Sequence, residues 1–307
     1  MKYIGYRLNF LAAVHFGSGS LDDAGNRLYA DTLFSALCHE ALQKGVLDEF
    51  LKAVTERNLR LSDALPCHGD TYYIPKPMIA VESESSSDIK KKAKKLEFIP
   101  ADRLREYLNG SMDISAESEV LKDMGKAEIR TNAAVSDAAD TVPYSVGAYR
   151  FNDGWSLYVL ISYEDDEDLY MVEDLLISLG YSGVGGRRSS GLGRFELNSA
   201  KLPSELLDSL TESSEGTVMT LSVSMCDDSD LEKVLDGASY LMMKRSGFIS
   251  SATYAQTPLK KQDFYCFKSG SVFKGCFNGV LKDVSVKGNH PVFRYAMPVF
   301  MEVGTDD

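Results

Sequence analysis

Thirteen residues, Gly183-Val184-Gly185-Gly186-Arg187-Arg188-Ser189-Ser190-Gly191-Leu192-Gly193-Arg194-Phe195, constrain this chain more than any other stretch. They hold five glycines, three arginines and two serines, with no acid before Glu196. Glycine tolerates positive φ, so successive backbone N–H groups can turn into one concavity. Arginine adds fixed donor forks that match phosphate oxygens. A polyanion is the guest such a loop fits. A plain surface turn is the other reading, although a turn needs neither five glycines nor three arginines.

The order of elements narrows the choice. Asp165-Asp166-Glu167-Asp168 suits the first turn of a helix. Leu169, Val172, Leu176 and Leu179 follow at helical spacing, and Gly180 offers a C-cap. After the loop, residues 194–198 alternate like a strand. The chain thus runs helix, loop, strand, whereas a dinucleotide fold needs strand, loop, helix. The spelling differs as well, since Arg188 stands where the third glycine of that fingerprint belongs. A phosphate-binding P-loop is excluded by Leu192-Gly193 after the Gly186…Gly191 pair, in place of Lys-Ser/Thr.

The 307 residues favour two domains, and the 44% hydrophobic and 25% charged content is ordinary for a globular chain. A net charge of −12 argues against a protein that coats nucleic acid indiscriminately, so any RNA site must be a local basic surface. Five cysteines (38, 67, 226, 266, 276) without a CxxC pair point to a reduced, cytoplasmic chain with no structural zinc. Arg7 and Asn9 interrupt the apolar start as in an alternating strand, which argues against a signal peptide. No run approaches the roughly 20 apolar residues of a membrane span.

Ile4, Tyr6, Leu8 and Phe10 predict a strand, followed by a flexible turn at 14–20. Residues 29–44 predict an amphipathic helix capped by Asp31 or Thr32 and closed by Gly45. Its buried stripe is Leu33/Leu37/Ala41 with Phe34/Cys38/Leu42, and His39 lies beside it. Residues 72–81 predict a strand that Pro75 and Pro77 assign to an edge. Glu82–Asp88 and the five lysines of Lys90–Lys95 read as a solvated loop or helix face. Residues 100–109 suggest a short helix. Residues 127–135 and 142–151 resemble two arms of a hairpin with a small polar tip at 136–141. Residues 155–161 are the strongest strand pattern. The first 200 residues therefore read β-α-β, insertion, β-α-β, the ferredoxin-like order. Residues 211–215 look like a linker, 218–225 a strand, 227–236 a short helix, and the remainder mostly strands. Between Lys260 and Arg294, seven Lys or Arg face two Asp, with Phe264, Tyr265, Phe267, Phe273 and Phe277 interleaved. That pattern suits RNA backbone contacts and base stacking, or aromatics that face a β-domain core.

Catalytic apparatus is not evident. The four histidines (15, 39, 68, 290) form no HxxxH or HExxH pair, and there is no GxSxG elbow. The acidic runs at 165–168 and 227–230 could hold Mg²⁺ but read more simply as helix starts. His15, just after the first strand, could act as a general base in metal-independent RNA cleavage. Packing or RNA contact is its simpler role.

With these residues assembled, the chain resembles the RAMP superfamily, and within it the Csm-type subunit that caps the crRNA 5′ end in type III-A CRISPR interference complexes. Val14-His15-Phe16-Gly17 with Tyr29–Cys38, the glycine loop, Lys244-Arg245-Ser246-Gly247-Phe248, Gly270-Ser271-Val272-Phe273 and His290–Tyr295 carry the resemblance. It implies an α+β protein of two ferredoxin-like (RRM-like) domains, 1–212 with an insertion at 82–151 and 213–307. It also implies a β-hairpin thumb at 127–151. It implies a non-catalytic subunit, without metal or cofactor, that anchors the crRNA 5′ handle and contacts the large polymerase/cyclase-like subunit and the backbone RAMP subunit. The expected RNA ligands are Gly185, Gly186, Gly191 and Gly193, with Arg187, Arg188 and Arg194 on phosphates and Ser189 and Ser190 on phosphate or base edges. His15, Ser18, Lys244 and Arg245 are further expected contacts. A metal-independent crRNA-processing endoribonuclease and a protein-only scaffold remain alternatives.

Overall fold

The computed structural model describes residues 1–17, 19–80, 93–134, 142–213, 215–251 and 253–304. The first strand, Lys2–Phe10, lies between Trp155–Tyr163 and Phe195–Ser199, antiparallel to both. Beyond Trp155–Tyr163 the sheet continues through Leu65–His68, Thr71–Pro75 and Phe98–Pro100, with Arg60–Leu61 also paired to Trp155–Tyr163. Thr71–Pro75 is thus flanked on both sides, and Phe98–Pro100 takes the edge that the prolines had assigned to it. Trp155–Tyr163 is buried on both faces, which explains its unbroken apolar run. Leu157, Val159 and Ile161 face one core, and Tyr158 and Leu160 face the other.

Three helices cover the first face: Ala30–Lys44, Leu47–Glu56 and Asp166–Ser182. In Ala30–Lys44 the N-cap is Tyr29, without a side-chain cap bond. Asp31 does not cap, because two arginines hold it in the interior. Gly45 ends the helix at φ 73° as expected. Leu33, Leu37, Ala41 and Phe34 are buried, but Leu42 is 63% exposed and leaves the expected stripe. Asp165 accepts Glu167 N–H at 3.0 Å and caps the helix Asp166–Ser182. That helix runs through Gly180 and ends at Gly183 (φ 82°). Gly180 is internal because Phe195 O occupies the place of a Cβ, at 2.5 Å. The sequence reading missed Leu47–Glu56, whose N-cap Val46 has no capping side chain, and Ile114–Lys122, capped by Asp113. Residues 101–108 are helical and the hairpin arms are Gly125–Ala134 and Val142–Phe151. The expected tip at 136–141 and most of the Ser/Lys-rich stretch lie outside the described residues.

The other face of the sheet meets a four-stranded antiparallel sheet, ordered Leu210–Thr211, Phe300–Glu302, Val218–Thr220, Val272–Phe273. The expected linker therefore begins inside a strand, with Thr211 opposite Phe300. Residues 221–224 are buried but leave the ladder, and the short helix narrows to Leu231–Leu235. Two ribbons complete this part, Met242–Arg245 with Phe264–Phe267 and Val280–Asp283 with Phe293–Ala296. The two parts share a core. Phe34 stacks on Tyr295 at 5.1 Å, and the Tyr295 hydroxyl accepts Leu61 N–H at 2.7 Å. Among the described residues no helix is long and apolar enough to cross a membrane.

Candidate nucleic-acid interface

The glycine loop closes on the turn that follows the first strand. Leu11 N–H donates to Arg194 O at 2.9 Å, Gly193 N–H to Ala13 O at 3.0 Å, and Gly186 N–H to His15 O at 2.9 Å. Val184 N–H donates across the loop to Gly193 O at 3.0 Å. The tip is a single 3-10 turn, Arg188–Ser190, held between Arg187 (φ 60°) and Gly191 (φ 80°).

Most of the glycines serve this internal packing. A Cβ on Gly193 would run into Val184 O. One on Gly183 would lie 2.6 Å from Leu192 O, one on Gly185 2.7 Å from His15 O, and one on Gly186 2.5 Å from the His15 ring. Gly191 alone of the five has open space around it. Gly185, Gly186 and Gly193 therefore give their close approach to the chain itself, and Gly191 is where the loop backbone is open.

His15 is the wedge of the site. The residue is 8% exposed, and Nδ1 lies 2.6 Å from Gly147 O, so Nδ1 donates and Nε2 faces Gly17. Gly147 belongs to the long hairpin and was missed by the sequence reading, although a lone glycine within a strand marks close backbone approach. Its missing Cβ leaves room for Asp22 O, and its N–H donates to Leu21 O at 2.9 Å. Val14 and Tyr149 exchange two N–H···O bonds of 2.8 Å. The hairpin, residues 11–17 and 21–25, and the glycine loop are thus bonded into one corner.

Three arginines and two serines are presented there. Arg187 leans over the Tyr144 ring at 5.2 Å, with Nη1 3.5 Å from the hydroxyl. Ser189, Ser190 and Arg194 are exposed, and Arg188 is half-buried. Among the described residues, no carboxylate pairs with Arg187, Arg188 or Arg194. His39 lies close enough that burial, then Arg188 and Lys261, lower its pKa. Burial, reinforced by Arg294, pushes Lys261 down to about 8. His39 therefore stands beside Arg188 as a neutral imidazole, and no local sequence signal could have placed it there. Ser18 lies outside the described residues.

The remaining expected contacts are placed differently. Lys244 is exposed but paired with Asp263 at 2.7 Å. Arg245 turns inward, and this corrects its expected role as a surface contact. Its Nε and Nη2 donate to the two oxygens of Asp31 at 2.8 Å each, and Nη2 also reaches Thr32 Oγ1 at 3.0 Å. Arg294 Nη1 reaches Asp31 Oδ2 at 2.5 Å. Burial pushes the Asp31 carboxyl up, but the two guanidinium groups override it and hold it below the usual carboxylate range. A fully buried carboxylate needs such partners, and that is why Arg245 and Arg294 are inside.

Of the two readings of the basic aromatic stretch, the structure follows the one in which its aromatics face a core. Phe267 and Phe273 are buried, and Phe267, Phe273, Phe277 and Phe300 meet edge to face at 5.0–5.1 Å in a core of their own. Lys268 pairs with Glu97 and Lys274 with Asp236. Only Tyr265 of the five aromatics is strongly exposed. Among the described residues no group of three His, Cys, Asp or Glu could hold a metal ion.

With this geometry established, comparison with known proteins is informative. Residues 213–303 match the family model described as the CRISPR Csm4 C-terminal domain. The chain is 41% identical to the CRISPR system Cms protein Csm4 of Mycobacterium tuberculosis (strain CDC 1551 / Oshkosh), covering 94% of this chain and 93% of that protein. It is 36% identical to the protein of that name from Streptococcus thermophilus, over 99% of each. Among solved structures it is similar to a chain of the Csm3–Csm4 subcomplex in the type III-A CRISPR-Cas interference complex, with a TM-score of 0.66 at 20% identity, covering 97% of this chain and 98% of that one. It is also similar to a chain of a Csm1–Csm4 cassette in complex with cA4, with a TM-score of 0.60 at 16% identity over 99% of each.

Proposed function

Because the chain belongs to the Csm4 family, we propose that it is a non-catalytic, RNA-binding subunit of a type III-A CRISPR effector complex that anchors the crRNA 5′ handle. One observation carries this reading: an acidic protein presents a rigid loop whose arginines, 187, 188 and 194, have no carboxylate partner among the described residues. Phosphates are the complement such cations lack. Ser189, Ser190 and the open backbone at Gly191 stand beside them for base edges and 2′-OH groups. The solved relatives named with Csm3 and Csm1 support the backbone RAMP subunit and the large subunit as partners of this chain. Five free cysteines agree with a reduced, cytoplasmic setting.

The finer architecture belongs to the same proposal. Phe195–Ser199, Lys2–Phe10, Trp155–Tyr163 and Leu65–His68 stand in the order fourth, first, third, second, which is the ferredoxin-like arrangement. The C-terminal sheet is read as a second such unit with its helix reduced to Leu231–Leu235. The hairpin Gly125–Phe151 is read as the thumb. A non-catalytic role is supported by His15, whose imidazole is buried and bonded to Gly147 O.

The test is binding of a labelled RNA carrying the repeat handle, beside a scrambled handle, at several salt concentrations without divalent metal. It is run on the protein alone and in its complex. Handle-selective, salt-weakened binding of intact RNA is expected. Arg188→Ala/Arg194→Ala should lower the slope of log affinity against log salt by about 1.4, the equivalent of two single-strand phosphate contacts. An unchanged slope removes these arginines from the interface. Cleaved RNA, abolished by His15→Ala, replaces the proposal with an endoribonuclease, and no RNA in either sample leaves a protein scaffold.

A further inference from the structure

The helix Asp166–Ser182 buries one face with Leu169, Val172, Leu176 and Leu179, and the opposite face is unusual. Tyr170, Ile177 and Tyr181 stand there 66%, 44% and 79% exposed. At 100° per residue they fall within a narrow stripe about 16 Å long, and Asp174 fills the gap in it. The spacing 170, 174, 177, 181 alternates four and three residues, the seam that knobs-into-holes packing uses. A solvent-facing helix side normally carries polar residues, so two tyrosines and an isoleucine in line are an uncovered seam.

The charge around the seam selects what covers it. The helix carries Asp166, Glu167, Asp168, Glu173 and Asp174 and no lysine or arginine. Lys2 and Lys44 reach Asp166 and Asp174 from other elements and Arg57 holds the buried Asp168, while Glu167 and Glu173 have no cation partner among the described residues. The two glutamates left without a cation disfavour a phosphate backbone or a second copy of the same face. A lysine- or arginine-edged apolar stripe is complementary to it.

We propose that the outer face of Asp166–Ser182 docks a basic amphipathic helix of another protein subunit, with Tyr170, Ile177 and Tyr181 as its anchors and Glu167 as a steering charge. Tyrosines suit such a role, being large, rigid and amphipathic. The same helix ends at Gly183, where the glycine loop begins, so its occupant would brace the arginine-bearing corner from behind. The inference rests on the reading that this chain works within a multi-protein complex.

The test places a photoreactive benzophenone amino acid at position 177 of the full chain in its assembled, RNA-bearing complex, and maps the cross-link by mass spectrometry. The expected product joins position 177 to a lysine- or arginine-flanked helical segment of another protein subunit. Tyr170→Ala/Ile177→Ala/Tyr181→Ala should weaken retention of that subunit at least tenfold with handle binding intact. Glu167→Lys should weaken it less, with the difference vanishing at high salt. A cross-link to RNA or to a second copy overturns the proposal, as does an RNA-bearing complex with no cross-link. A wild-type protein that assembles with nothing overturns this proposal and the proposed function together.

Discussion

Gly191 and Gly193 stand two residues apart, both at positive φ, and answer to different constraints. Gly191 has only its backbone angle to satisfy, since nothing lies within 4 Å of where a Cβ would be. Gly193 must also admit Val184 O, and its own carbonyl accepts Val184 N–H to close the loop. Gly191→Ala is therefore expected to cost about 1–2 kcal/mol, the ordinary penalty of a left-handed alanine, and to leave the arginines in place. Gly193→Ala is expected to cost more in urea unfolding and to reduce handle affinity, because a backbone oxygen cannot move aside without opening the loop. Equal effects of the two substitutions would show that the loop does not depend on its internal packing. In a string of five glycines these roles look identical, and contact separates them.

At the scale of elements, the decisive joint is between the long hairpin and the turn after the first strand. It depends on Gly147, which lets Asp22 O approach, gives its own carbonyl to His15 and bonds Leu21 O. Gly147→Val should release the hairpin without unfolding the sheet beneath it. By hydrogen exchange, amides of Val142–Phe151 that face the turn should lose protection, while those of Lys2–Phe10 and Trp155–Tyr163 keep theirs. Unchanged hairpin protection would place the anchor elsewhere, for instance in the Val14–Tyr149 pair alone. The hairpin was legible from its two alternating arms. Its attachment to His15, Leu21 and Asp22 was not, because that depends on one glycine meeting a carbonyl 125 positions earlier in the chain.

At the scale of the whole molecule, Asp63 ties the two parts together. Its Oδ1 accepts Ala30 N–H at 2.8 Å, at the start of the first helix, and Val223 N–H at 3.1 Å in the C-terminal part. Burial raises its pKa from 3.8 to about 6, against the pull of those two amides. A carboxyl raised in this way favours the folded state most below pH 4. That advantage is lost as pH rises through about 6, where the folded protein must ionise a buried group. Asp63→Asn keeps an acceptor for the two amides and places its side-chain amide beside Ser269. The stability of this variant relative to wild type should therefore rise between pH 3 and pH 7 by about 3 kcal/mol, then stay flat. A pH-independent difference would show that Asp63 does not titrate in this window. By itself the sequence determined the elements whose signals are local: the strand Lys2–Phe10, the helix Ala30–Lys44, the hairpin arms, Trp155–Tyr163, and a glycine loop between a helix and a strand. Apolar period and glycine punctuation are properties of neighbouring residues, so they can be read along the chain. Only the tertiary structure decided which cations face outward. Arg245 and Arg294 reach Asp31 across 214 and 263 residues of sequence, whereas Arg188 and Arg194 find no carboxylate among the described residues. Charge pairing depends on through-space distance and burial, and neither is written in the order of the residues.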